Sequence, residues 1–89
     1  MFLWSSAMTS VPRGLIIQLY NRGLANEAIA REVGQDQDMV RSCITDYERV
    51  RSLLNQGYTL DEIGSAIGVT SQTALEYLSL AYRFNPQLR

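Results

Sequence analysis

Eight arginines carry all the positive side-chain charge of this 89-residue sequence; lysine and histidine are both absent. The missing histidine removes the commonest general base and the commonest transition-metal ligand. No G-x-G-x-x-G, P-loop, nucleophile elbow or metal-ligand spacing occurs, and acidic residues such as Asp61 and Glu62 stand where a helix begins, where they favour its dipole. The lone Cys43 has no partner for an internal disulfide. Its apolar neighbours place it on a core stripe, where a free thiol acts as a small hydrophobe. What remains is arginine chemistry, that is, charge-assisted hydrogen bonds to oxygen acceptors. The expectation is a non-enzymatic protein with no cofactor and no metal.

Charge balance restrains that chemistry. Nine carboxylates set the net charge at -1, whereas a dedicated nucleic-acid binder usually displays a basic surplus. Glu27 precedes Arg31 by four residues, and Asp38 to Arg41, Asp46 to Arg49 and Glu48 to Arg51 are three-residue steps, so these arginines can be partly neutralised within their own helices. With 46% hydrophobic and 19% charged residues the chain has the makeup of one small soluble domain. No apolar run approaches the roughly 20 residues needed to cross a bilayer, and "MFLW" lacks the basic flank of a secretion signal. A cytoplasmic protein without membrane contact is expected. Phe2 and Trp4 fall in a stretch, residues 1–11, that reads as a flexible or vector-derived leader with Met8 as an alternative beginning. The functional alternative for it is an arm that docks on a neighbouring subunit.

The elements that position the arginines come in two copies. Shifted by 34 residues, "LYNRGLANEAIAREVG" lines up with "LLNQGYTLDEIGSAIG", matching Leu19, Asn21, Gly23, Ile29 and Gly34 to Leu53, Asn55, Gly57, Ile63 and Gly68. Tetratricopeptide arrays share the period, but their aromatic and small-residue signature is missing and two units are fewer than the three or so a solenoid needs. Each copy reads as three helices. Pro12 suits a first helical turn, Gly23 and Gly57 stop helices, Asp36 and Thr70 cap them, and Thr59 with Glu62 spells a capping box.

Neither glycine nor proline interrupts the stretch from Asp36 to Gln56. Val40, Cys43, Tyr47, Val50 and Leu54 fall within a sector of roughly 80° at about 100° per residue. The spacing predicts one long helix that ends copy one and begins copy two. The expected fold is all-α: five helices at about 12–22, 26–33, 37–56, 60–67 and 71–84, forming two units that share the central helix. Copy one spans about 12–49 and copy two about 50–84 of a single domain 12–84, with 85–89 as a tail. A 34-residue unit is too short to bury a sufficient core alone, so the copies should fold together.

Ile29, Ala30, Val33, Gly34, Val40 and Cys43 in copy one, with Ile63, Gly64, Ile67, Gly68, Val69, Ala74 and Tyr77 in copy two, resemble the helix-turn-helix pattern. The spacing is similar to that in the DNA-binding parts of site-specific recombinases and transposases. The run "ITDYERVRSLLNQGYTLDEIGSAIGVTSQTALEYLSL" further resembles an uncharacterised prokaryotic family with two such motifs joined through a D-Y-x-R-V segment. The likeness covers about residues 15–82. Two departures fall in copy one: Gln35 occupies the place of Val69, and Ala25 the place of the cap Thr59. They predict a looser turn there.

The resemblance implies sequence-specific binding of double-stranded DNA, in transcription control or mobile-element recombination, by a homodimer. In copy one it directs Gln37, Asp38, Arg41, Ser42 and Thr45 at base edges, with Arg41 suited to guanine and Gln37 to adenine. Arg49 and Arg51 would flank the groove, and Arg22, Arg31 and Arg13 would add phosphate contacts, Arg13 from an N-terminal arm. In copy two the outward set is Ser71, Gln72, Thr73, Leu75, Glu76 and Ser79, which has no basic member. It forfeits most of the counterion-release contribution to duplex affinity. Leu75, Leu78, Leu80, Tyr82 and Phe84 instead predict an apolar C-terminal surface for self-association or a protein partner, against simple core packing. The competing function is an adapter that keeps the scaffold and binds proteins without DNA.

Overall fold

The computed structural model describes residues 11–88. Its elements in chain order are α1 (Arg13–Asn21), α2 (Asn26–Val33), α3 (Gln37–Asn55), α4 (Leu60–Ile67), α5 (Ser71–Phe84) and a 3-10 turn, Pro86–Leu88. The described residues are all-α, and none of their helices is long and apolar enough to cross a membrane. Phe2, Trp4 and Met8 lie outside the described residues. Val11, the last residue of the expected leader, packs partly buried against the core.

Side-chain caps start three of the five helices. Asp36 accepts the Met39 N–H at 2.8 Å, Thr70 accepts the Thr73 N–H at 3.2 Å, and Thr59 exchanges hydrogen bonds with Glu62 in a complete capping box. Each such cap stabilises its helix by about 1 kcal/mol. Ala25, at the head of α2, provides none.

The duplication persists in the backbone. Gly23 and Gly57 share a φ of 92°, while Gly34 and Gly68 have φ of 71° and 73°. After each of the first pair the chain turns back identically, with the Leu24 N–H donating to the Leu19 carbonyl and the Tyr58 N–H to the Leu53 carbonyl. After the second pair, Gln35 N–H reaches the Ala30 carbonyl at 3.1 Å and Val69 N–H the Gly64 carbonyl at 3.2 Å. The turn of copy one is therefore as tight as that of copy two. The left-handed glycine and these backbone bonds set it, and they are indifferent to whether Gln35 or Val69 follows.

α3 runs without a break and packs against all four other helices, while α1 also meets α5. Val40, Cys43, Tyr47 and Val50 form its buried stripe, joined by Ile16 and Ile17 of α1, Ile29 of α2, Ile63 of α4, and Tyr77, Leu80 and Ala81 of α5. Tyr47 and Tyr77 are the largest fully buried side chains. Tyr20 meets the Tyr47 ring edge-on, with centroids 6.2 Å apart.

Three elements differ from the sequence expectation, the first being α3, which ends at Asn55, one residue short of the expected 56. α1 is one residue shorter at each end, Pro12 standing just before it. The expected tail is part of the fold as far as Leu88. Asn85 is buried, donates to the Tyr47 hydroxyl at 2.9 Å and to the Ala81 carbonyl at 3.0 Å, and Leu88 packs against the core. A phenol sunk as deeply as that of Tyr47 requires a partner, and Asn85 is placed to supply it.

Candidate functional site

The first two turns of α3 bury Val40 and Cys43 and leave Gln37, Asp38, Arg41, Ser42 and Thr45 exposed. These five side chains form one polar face, positioned by the Gly34 turn and the Asp36 cap beneath it. Arg41 Nη1 bonds Asp38 Oδ1 at 2.8 Å, three residues away and in the open. Exposed pairs of this kind contribute only a few tenths of a kcal/mol, so the guanidinium exchanges partners cheaply.

The other arginines expected at phosphate divide into two groups. Arg22 is exposed just past α1 and has no ion pair among the described residues, and Arg31 pairs loosely with Glu27 at 3.7 Å. Arg49 is also exposed, but the expected Asp46–Arg49 ion pair is replaced: Arg49 Nη2 donates at 3.1 Å to the Ala66 carbonyl in the last turn of α4. That carbonyl is one of the four a helix end leaves without an intrahelical partner. Partial burial holds the Asp46 carboxyl above its usual range, against the pull of Arg49 and Arg13.

Arg13 and Arg51 hold the fold together. Arg13 does not lie on an arm: it opens α1, reaches Glu76 of α5 at 3.0 Å and lies over the Tyr77 ring, 5.8 Å from its centroid. Arg51 bonds Glu48 at 2.7 Å and donates through Nη1 to Asn85 Oδ1 at 3.2 Å. The Tyr20 hydroxyl donates to the other Glu48 oxygen, so α1, α3 and the C-terminal turn meet in one polar network. An open cleft of about 340 Å³ beside it is lined by Glu48, Arg51, Ser52, Asn55, Gln87 and Leu88. The charged heads at its edge already satisfy each other.

In copy two, Ser71, Gln72, Leu75 and Ser79 face solvent. Thr73 is half-buried and bonds Thr70 through its own N–H and hydroxyl, and Glu76 turns toward Arg13. The apolar surface is smaller than the sequence predicts. Leu75 is 48% exposed, but Leu80 is buried and Leu78, Tyr82 and Phe84 are partly so. α5 lies against α1, α3, α4 and the 3-10 turn, and these neighbours cover what a helical wheel leaves bare. The duplication sets Leu75 at the place of Arg41, 34 residues on. Leu15 and Tyr58, 43% and 45% exposed, are further apolar surface residues that periodicity alone did not single out.

Comparison with protein-family models, with curated proteins and with solved structures gives no match.

Proposed function

We propose that the protein binds double-stranded DNA through the first two turns of α3, with α2–α3 and α4–α5 acting as two helix-turn-helix units on a shared central helix. The supporting observation is the exposed polar face Gln37, Asp38, Arg41, Ser42 and Thr45 at the head of α3, set behind a short left-handed glycine turn. That face offers the donors and acceptors that base edges in a major groove require, within the two turns that enter such a groove. Arg22, Arg31 and Arg49 supply phosphate contacts around it, whereas Arg13 and Arg51 are committed to partners within the fold. A homodimer presents two reading helices and doubles the number of arginines that can meet phosphate, in the setting of a transcriptional regulator or a mobile-element accessory protein.

A second reading has one observation in its favour. Leu75 stands exposed where copy one carries Arg41, which suits an adapter that binds a protein through α5. Titration of random and selected duplexes at two salt concentrations separates the two. DNA binding weakens steeply as salt rises, and Arg41→Ala costs about 1 to 3 kcal/mol of base discrimination while leaving stability within about 0.5 kcal/mol. No duplex binding even at low salt favours the adapter.

A further inference from the structure

Arg41 and Asp38 are joined by a single contact. The bond runs from Nη1 to Oδ1, and among the described residues the Arg41 Nε and Nη2 donors have no acceptor and Asp38 Oδ2 has no donor. Both heads are well exposed, at 59% and 88% of the side chain. The pair therefore presents outward a fork of N–H donors beside one carboxylate oxygen acceptor. On a major-groove edge, guanine offers O6 and N7 to such a fork, and the cytosine amino group N4 donates to such an oxygen. A phosphate offers acceptors only, and its approach sets a second anion against Asp38.

We propose that Asp38 and Arg41 act as one reading unit for guanine and cytosine within a single base-pair step, Asp38 being the residue that turns Arg41 from phosphate toward bases. The inference rests on the DNA-binding reading and adds to it a base class and a specificity-determining acid. It also accounts for an acidic residue in the reading face of a chain whose net charge is -1. Asp38 raises selectivity by weakening the non-specific grip.

The test is selection from a randomised duplex library, followed by affinity measurements against selected and random duplexes over a range of salt, for the wild type, Asp38→Asn and Arg41→Lys. Both substitutions lie on the surface, and far-UV circular dichroism verifies the fold of each. Asp38→Asn is expected to tighten binding to random duplex, to steepen the dependence of log affinity on log salt by about one ion, and to lower discrimination at one guanine–cytosine position roughly tenfold. Arg41→Lys keeps the charge and loses the fork, so discrimination at the same position falls while the salt slope holds. A wild type that selects sequences and an Asp38→Asn variant with the same base preference overturn the reading unit alone. A wild type that binds no duplex at low salt overturns the DNA-binding reading with it.

Discussion

Three hydroxyl and thiol groups make the interior sensitive to alkali. Burial pushes the Tyr77 phenol well above its ordinary pKa, with a further rise from the neighbouring Cys43 thiol and an opposing pull from Arg13. Burial likewise raises the Cys43 thiol, and the hydrogen bond to Glu48, followed by burial, raises Tyr20. Because the folded values lie above the unfolded ones, the unfolded chain releases these protons first as pH rises. Their stability contribution is complete below the unfolded values of about 8.5 for cysteine and about 10 for tyrosine, and it is lost on rising through the folded ones. Thermal unfolding followed by circular dichroism should show a midpoint that falls between about pH 8 and about pH 11, with the steeper part near the tyrosine range. Tyr77→Phe keeps the ring and removes the proton, and should flatten that steeper part. Cys43 and Tyr77 were legible in the sequence as apolar positions of the helical pattern, whereas Tyr20 was not singled out. Their mutual contacts were not legible, because Cys43 and Tyr77 sit on different helices.

Among the elements, the paired turns and the continuous rod follow local rules. Gly68 has a φ of 73°, a conformation that L side chains rarely adopt, so Gly68→Ala should destabilise by about 1 to 2 kcal/mol although its surroundings are open. Gly64 is different. A Cβ there meets the Val69 carbonyl oxygen at 3.6 Å and the Ala74 methyl at 3.7 Å, both ordinary contacts. Copy one already carries Ala30 at this place, and helix propensity favours alanine by about 0.8 to 1 kcal/mol. Gly64→Ala should therefore raise the unfolding midpoint in denaturant while Gly68→Ala lowers it. The reverse order would mean that α4 and α5 approach through a gap only glycine can leave. Helix bounds were readable because caps and left-handed glycines act within a few residues of sequence. α1 came out one residue short at each end because terminal turns fray under tertiary contacts that no local signal records.

The whole molecule is organised around α3. Every other helix packs on it, and the Arg13–Glu76 pair and the Asn85–Tyr47 bond tie both ends of the described chain across the duplication. The two copies share the contacts of α3, so unfolding should be one cooperative event, seen as coincident transitions by circular dichroism and tyrosine fluorescence. Association belongs to this scale too. Leu75 is the large exposed apolar side chain of α5, and a dimer built on that face should sediment as a dimer in the wild type and as a monomer after Leu75→Glu. An oligomeric state indifferent to Leu75→Glu removes α5 from assembly.

The sequence by itself determined the all-helical class, the duplication, the unbroken central helix and the polar face at its head. Those properties depend on periodicity, capping and glycine conformation, which are short-range. Only the tertiary structure decided which arginines stay free. Arg13 and Arg51 meet partners 63 and 34 residues away, while Arg49 stays exposed and donates one N–H to a carbonyl 17 residues on. It also decided that the C-terminal apolar surface is reduced, with Leu80 buried, Leu78, Tyr82 and Phe84 half-buried and Leu75 left exposed, since burial is set by what packs alongside a helix and a single helical wheel carries no record of its neighbours.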